Sequence, residues 1–452
     1  MSKQDLLRAI PKVDKFMEHP EFEGYALSVL TPLVRETFEA LREDIVRGEI
    51  SEVDEALLLN NISQKYNDIM TPSLQKVINA TGVIVHTNLG RSPINPESFE
   101  RAKAVATSYN NLEYDLERGK RGERYAHIST MMKALLGCED VLVVNNNAAA
   151  VFLVLNTFAK RKEVIVSRGE LVEIGGSFRI PEVMKHSGAK LVEVGATNKT
   201  HLRDYEEALT ARTKILMKVH KSNYSIEGFT SEVPFSEIHA LAQEHGLIDY
   251  YDLGSGHIVD LPYGLSAREH TLQEIMKDTP SLMSFSGDKL FGSVQAGIIV
   301  GKKELIARLK KNQLLRMLRV DKVTLSLLAE DVKSMLMGDF GKIPTLKMLF
   351  EDTETVQSRA EALAETLGGM VECKIIETQT VIGGGSTPNR KIPSVAVSVK
   401  MGKRSPNTIE KYFRKQHIIG RIENGMFLLD LRTIPESEFD TLRERVACLI
   451  SS

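Results

Sequence analysis

Between residues 141 and 300 the chain alternates short apolar runs with helical stretches, and that alternation leaves few folds open. Val141-Leu142-Val143-Val144, Val164-Ile165-Val166, Leu191–Val194, Ile215–Val219, Leu247–Asp252, Leu282–Phe285 and Gly297–Val300 each have the length and apolar content of a buried strand. Ala148–Ala159, between the first two, reads as a helix. Such apolar strands must be covered on both faces, and strands joined through helices run parallel. The pattern predicts a mainly parallel sheet with helices on both sides.

The flanking segments read differently. Leu27, Leu30, Val34, Phe38 and Leu41 recur at spacings of three and four, one face of a helix. Pro32 falls inside that stretch, so the helix is expected to start or bend there. Ser51 followed by Asp54 resembles a capping box opening another helix, and Pro72 punctuates the end. Residues 1–70 are thus expected to form a small helical domain, and 71–335 the α/β large domain. From 336 to 452 helix-like runs (Glu354–Leu367, Thr408–Gln416, Glu436–Ile450) mix with strand-like ones (Cys373–Ile376, Ser394–Val399, Met426–Leu431), which suits a small α+β domain.

Composition narrows the function more than the fold. The 452 residues carry a formal net charge of −2, which gives no whole-chain signal for nucleic acid. The first seventy residues hold eight Lys and Arg against fourteen Asp and Glu. RNA binding there would need a local patch, for which Lys3, Arg8, Lys12 and Lys15 are the candidates. No apolar run approaches the ~20 residues that span a bilayer, and the polar start Met1–Leu7 does not read as a secretory signal. No membrane association and a cytoplasmic location are expected. Cys138, Cys373 and Cys448 lie far apart and make neither a disulfide framework nor a metal-ligand spacing, so no metal is expected.

Open parallel sheets bind ligands beyond the carboxyl ends of their strands, so the polar segments at those ends carry the chemistry. Asn145-Asn146-Asn147-Ala148-Ala149 follows a strand and opens a helix; free backbone N–H groups there suit a phosphate, while an ordinary Asn-capped turn explains the same residues. Asp252 ends an apolar strand. A carboxylate in that place can partner a protonated pyridine nitrogen or simply cap a glycine turn. Ser286-Gly287-Asp288-Lys289 also follows a strand. Its lysine can form a Schiff base if burial or charge depresses its pKa, and Ser286 can add a phosphate contact; a surface loop is the plainer alternative. Phosphate loop, acidic strand end and lysine, in that order, suit the aspartate-aminotransferase-like class of pyridoxal 5'-phosphate enzymes.

Longer motifs sharpen this. Ile78-Asn79-Ala80-Thr81-Gly82-Val83, Thr87-Asn88-Leu89-Gly90-Arg91, Asn111-Leu112-Glu113-Tyr114, Ser167-Arg168-Gly169-Glu170-Leu171, Thr197-Asn198-Lys199-Thr200 and Lys218-Val219-His220-Lys221-Ser222-Asn223 resemble the bacterial selenocysteine synthases, the L-seryl-tRNA(Sec) selenium transferases. The likeness runs through the whole chain and is densest from 77 to 325. It implies a fold-type I pyridoxal-phosphate transferase. The reaction it implies is β-elimination from seryl-tRNA(Sec) to a dehydroalanyl-tRNA, followed by selenium addition from selenophosphate. Residue by residue, Lys289 matches the Schiff-base lysine and Asp288 the acid before it. Asp252, Asn146, Asn147, Ala148, Ser222, Asn223 and Ser286 match the cofactor surround. Arg91, Arg316 and Arg319 match the selenium-donor pocket, the last two at helical spacing on one face. The resemblance further implies a homodecameric ring, a pentamer of dimers, and an N-terminal domain that contacts the tRNA.

One stretch departs from the family. Where it usually has Leu-Leu-Gly-Gly-Pro-Gln-Ala-Gly after the lysine, this chain has Leu290-Phe291-Gly292-Ser293-Val294-Gln295-Ala296-Gly297. Losing a Gly and a Pro changes the backbone freedom of that loop. A lyase acting on a free amino acid or amino-sugar acid, or a non-catalytic RNA-binding protein on the same fold, would share the core. The N-terminal helical segment speaks against the first. The joint presence of Asp252 and Lys289 speaks against the second.

Overall fold

The computed structural model describes residues 2–171, 173, 174, 178–221, 224–265, 270–385 and 390–451. It divides into two compact units, Met1–Lys76 and Val77–Ser452.

The first unit contains helices α1 (Lys3–Ala9), α2 (Val13–Met17), α3 (Leu27–Arg47) and α4 (Glu55–Met70). α3 buries Leu30, Leu33, Val34, Phe38, Leu41 and Ile45 as one stripe, against Ile62 and Tyr66 of α4 and Phe16 of α2. α3 starts at Leu27 and runs on through Pro32, which lies in its second turn. The Tyr66 hydroxyl accepts the Ala26 N–H at 2.7 Å and so satisfies a donor at the start of α3. α4 is capped by Asp54, whose carboxylate accepts the Leu57 N–H at 3.1 Å. The box anticipated at Ser51 is not formed, because Asp54 sits closer to the first helical turn and takes the capping role itself.

The second unit is built on a seven-stranded sheet of β1 (Asp140–Val144), β2 (Glu163–Ser167), β3 (Lys190–Val194), β4 (Thr213–Val219), β5 (Ile248–Gly254), β6 (Leu282–Ser286) and β7 (Gly297–Gly301). Its spatial order is β1-β7-β6-β5-β4-β2-β3. β7 runs antiparallel to both of its neighbours, and the other pairings are parallel. The direction of β7 comes from the short link out of β6: a parallel return would need a crossover of a dozen or more residues. The helices of this unit include α5 (Pro96–Ala106), α6 (Asn147–Phe158), α7 (Lys322–Leu336) and α8 (Thr353–Leu367). α6 carries the chain from β1 to β2. Val151, Val154 and Leu155 of α6 share one core with Val143 of β1, Phe285 of β6 and Ile298 of β7.

β1 lies at one edge, β2 and β3 at the other, and β4 to β7 fill the space between. The carboxyl ends of β1, β4, β5 and β6 therefore open on one side of the sheet, and β7 starts there.

A second sheet contains β8 (Glu372–Val381), β9 (Lys391–Lys400), β10 (Arg421–Glu423) and β11 (Met426–Asp430), antiparallel throughout in the order β8-β9-β11-β10. Val356, Ala360 and Leu363 of α8 pack on Val395 and Val397 of β9. Ile78–Asn79 pairs in parallel with Ile418–Ile419, and Ile78 and Ala80 join this smaller core. β8 extends beyond the run Cys373–Ile376 because its register with β9 continues to Val381↔Lys391. That extra length carries Ile382 to Val85, whose N–H it accepts at 2.6 Å, and sets Gly383 beside it.

Candidate active site

Two of the strand ends meet through side chains. Asn147, the first residue of α6, donates a side-chain N–H to Oδ1 of Asp252 in β5 at 2.7 Å. Asp252 is only 5% exposed. Burial pushes its carboxyl up to about 6, opposed by the Asn147 hydrogen bond and the charge of Lys289. The β5–β6 register shifts between Asp252 and Gly254, a bulge at the place that aims the carboxylate. Asn147 Oδ1 is buried and has no hydrogen-bond partner among the described residues. Beside it Asn146 caps α6 by accepting the Ala149 N–H at 2.8 Å, and Ala148 follows in the first turn. β7 passes this loop so closely that a Cβ on Gly297 would fall 2.1 Å from the Asn146 carbonyl oxygen. Only glycine fits there.

Lys289 stands on the turn after β6. The Gly287 N–H donates to the Ala296 carbonyl at 2.8 Å, the Ser293 N–H to the Gly287 carbonyl at 2.8 Å, and the Gly292 N–H to the Lys289 carbonyl at 2.9 Å. The Ser92 hydroxyl also donates to the Lys289 carbonyl, at 2.9 Å. The main chain at the lysine is thus held from two sides. Burial, then the nearby Arg91 charge, depresses the Lys289 ammonium, against Asp252 and Asp288. Gly385 closes on the side chain: a Cβ there would lie 2.6 Å from Lys289 Nζ.

Asp288 is engaged at both oxygens. Arg91 Nη1 donates to Oδ2 at 2.8 Å, and the Ser286 hydroxyl donates to Oδ1 at 2.8 Å. The Ser286 proton is therefore committed to Asp288, and a phosphate contact through it would compete with that bond. Arg91 has φ +63°, the left-handed region that costs a non-glycine residue roughly 1 kcal/mol. The ion pair with Asp288 fixes its side chain in return.

Arg316 and Arg319 do not share a helix face. The helix spans Leu315–Leu318, and Arg319 leaves it with φ −69° and ψ 144°. The cause lies at the end of β1: the Asn145 N–H donates to the Leu318 carbonyl at 2.9 Å, and Arg319 forms a bridge with Val144. Arg319 approaches Glu113 at 3.5 Å, a carboxylate also bound by Arg124 at 2.7 Å and Arg121 at 3.1 Å. Arg316 is exposed. Ser222 and Asn223 lie outside the described residues. His220, just past β4, donates its backbone N–H to the Asp252 carbonyl at 2.9 Å, and burial pushes its imidazole down to about 4.

Sequence reasoning missed two buried pairs. Lys218 in β4 lies 3.2 Å from Glu170 Oε1, and Glu170 Oε2 accepts the Val219 N–H at 2.9 Å. Burial raises the Glu170 carboxyl. The signal was there: a lysine inside an otherwise apolar strand needs a buried acid, and the Ser-Arg-Gly-Glu-Leu motif supplies it. The second pair joins Ser293, in the turn after Lys289, to Asp331 of α7.

Among the described residues no group of His, Cys, Asp and Glu could hold a metal ion, and no helix is long and apolar enough to cross a membrane.

A half-buried lysine on the turn after one strand, with a buried carboxylate at the end of the neighbouring strand, on this sheet order, defines the aspartate-aminotransferase-like fold class. A solved D-glucosaminate-6-phosphate ammonia-lyase shares the fold, with a TM-score of 0.60 at 20% identity over 84% of this chain and 99% of that one. A family model described as L-seryl-tRNA selenium transferase matches residues 77–435, and the chain belongs to that family. It is 62% identical to the L-seryl-tRNA(Sec) selenium transferase of Sulfurimonas denitrificans, over 97% of each chain. It is 58% identical to the one of Aliarcobacter butzleri, over 99% of each.

Proposed function

We propose that this chain converts L-seryl-tRNA(Sec) to L-selenocysteinyl-tRNA(Sec), with pyridoxal 5'-phosphate as cofactor and selenophosphate as selenium donor. The observation that carries the reading is the depressed, half-buried Lys289 beside the buried Asp252. The residues fit the cofactor. A carboxyl raised by burial would find a counter-charge in a pyridinium nitrogen, and the Asn147 oxygen beside it is buried with no hydrogen-bond partner among the described residues, at the start of a helix whose first N–H groups suit a phosphate. Bound there, pyridoxal phosphate supplies the electron sink that a carbanion at the seryl Cα requires.

The chain's own groups do the rest. Lys289 would tether the cofactor and, when freed, serve as the base for the Cα proton; burial and the Arg91 charge, which depress its pKa, favour the neutral amine that both tasks need. Asp252, oriented by Asn147, would hold its charge against the ring nitrogen. Asn146, Asn147 and Ala148 at the start of α6 would hold the cofactor phosphate, and Ser222, Asn223 and Ser286 are assigned to the rest of its surround by the family resemblance. The serine hydroxyl leaves as water, giving dehydroalanyl-tRNA. Selenium then adds at Cβ, a proton returns to Cα, and phosphate is released on hydrolysis of the P–Se bond. Arg91, held by Asp288, and Arg316 and Arg319 supply guanidinium groups for the anionic donor.

The unit Met1–Lys76 is read as the tRNA-contacting part, through Lys3, Arg8, Lys12 and Lys15. The cofactor is assigned to the part up to residue 335, and the small sheet to the part from 336. The working assembly is a homodecameric ring, a pentamer of dimers, in the cytoplasm. The test is conversion of seryl-tRNA(Sec) with selenophosphate by the native protein and by Lys289→Ala. The expected result is conversion by the first, none by the second, and tRNA binding by both. Conversion by Lys289→Ala would overturn the site, and turnover of a free amino acid without response to tRNA would overturn the substrate.

A further inference from the structure

The turn that presents Lys289 is anchored at its far end by a buried pair. Ser293 is fully buried, and its hydroxyl donates to Asp331 Oδ2 of α7 at 2.5 Å. Asp331 is 1% exposed. The Ser293 N–H closes the same turn on the Gly287 carbonyl at 2.8 Å. One residue therefore ties the turn to itself through its backbone and to the helix layer through its side chain. At the near end the lysine carbonyl is held by Ser92, which in turn accepts a hydrogen bond from Thr345 at 2.9 Å.

The geometry points to Asp331 as a positioning residue for Lys289, acting through the Ser293 hydroxyl. This rests on the reading of Lys289 as the cofactor-bearing amine. A carboxylate in such a place needs a reason, because burial without sufficient partners is costly. Burial pushes Asp331 up to about 6, and the hydroxyls that face it are Ser293 and Ser98. Its charged neighbours are Glu330 on its own helix and Arg101 on α5, and these pair with each other at 2.5 Å. A further helix packed on α7, Ala126–Leu136, contributes Ile128 and Met132 to the shared core. Ser293 is thus the contact through which this carboxylate acts on the turn. A hydrogen bond to a buried carboxylate is among the stronger side-chain tethers, and it fixes the backbone from which the lysine projects.

The experiment compares native protein, Ser293→Ala, Ser293→Thr, Asp331→Leu and the Ser293→Ala/Asp331→Leu double variant. Two quantities are read on the full chain: amide exchange in the peptide covering 287–297, and the rate at which added pyridoxal phosphate becomes fixable by borohydride on Lys289. The expected result is exchange about tenfold faster in Ser293→Ala and Asp331→Leu, with slower attachment at Lys289. The double variant should be no worse than either single one, and Ser293→Thr, which keeps the hydroxyl, should restore both readouts. Native exchange in Ser293→Ala would overturn the proposal. So would an attachment rate that stays native while the turn loosens, or single effects that add in the double variant. If Asp331→Leu does not fold, the comparison of Ala with Thr at 293 decides. If no cofactor attaches even to native protein, the reading of Lys289 fails and the positioning role with it. The exchange arm then still shows whether the tether exists, so the two failures are told apart.

Discussion

Asn147 and Asp252, 105 residues apart in sequence, are joined by a 2.7 Å hydrogen bond from amide to carboxylate. The bond links the start of α6 to the end of β5. It favours the charged form of a carboxyl that burial otherwise drives toward neutrality.

Replacing Asn147 by Ala should therefore raise the Asp252 pKa further and weaken cofactor binding. Losing one hydrogen bond to a charged group predicts about a tenfold fall in affinity at neutral pH, read by equilibrium titration with pyridoxal phosphate. Unchanged affinity would mean that Asp252 does not depend on this donor.

Asp252 also gives the cofactor-free protein a pH signature. Its carboxyl, raised from 3.8 to about 6, binds a proton more tightly when folded than when unfolded. Its contribution to stability is therefore full below about pH 4 and is lost as pH rises through about 6. Asp252→Asn removes that loss. Between pH 4 and 7 the variant should gain on the native chain by on the order of 2–3 kcal/mol, measured by urea unfolding at the two pH values. Parallel pH curves would contradict the assignment.

Arg91 sits between two roles, pairing with Asp288 and depressing Lys289. Arg91→Gln should move the pH midpoint of Lys289 modification upward, because a neighbouring positive charge is gone. It should also cost on the order of 2 kcal/mol of stability, because Asp288 stays buried without its charge partner. A downward midpoint, read by peptide mapping of an amine-reactive label, would rule out the electrostatic link.

Glu170 and Lys218 form the buried pair beneath the strand ends. Glu170→Ala leaves Lys218 without its acid and should destabilise the fold by about 3–5 kcal/mol. Adding Lys218→Met should recover much of that loss. Calorimetric melting of both variants checks the sign, and a double variant no better than the single one would count against the pairing.

Much of the large sheet could be read from the chain, because each strand is a short apolar run and buried strands declare themselves by composition. Val141–Val144 became Asp140–Val144, and Leu247–Asp252 became Ile248–Gly254. The direction of β7 was missed although a signal was there: the stretch between Phe285 and Gly297 is too short for a parallel crossover. The segments Asn145–Ala149, Asp252 and Ser286–Lys289 stood out because polar residues directly after apolar strands are unusual. Who bonds to whom was hidden. Asn146 spends its side-chain oxygen on a helix cap and Ser286 its proton on Asp288, both choices made by local geometry that spacing does not encode. The Arg316–Arg319 spacing misled for a related reason. A backbone contact from Asn145 ends the helix early, and that partner is more than 170 residues away in the chain.

The reversed course of β7 has a mechanical consequence. Lys289 stands on a link that leaves the sheet at Ser286 and re-enters it at Gly297, so both feet of the link are planted in adjacent strands of one rigid layer. A lysine mounted that way cannot be carried toward or away from substrate by a swinging segment. Whatever travel it makes between tether and base comes from rotation about its own carbon–carbon bonds, like a crane whose jib turns while its base stays bolted down.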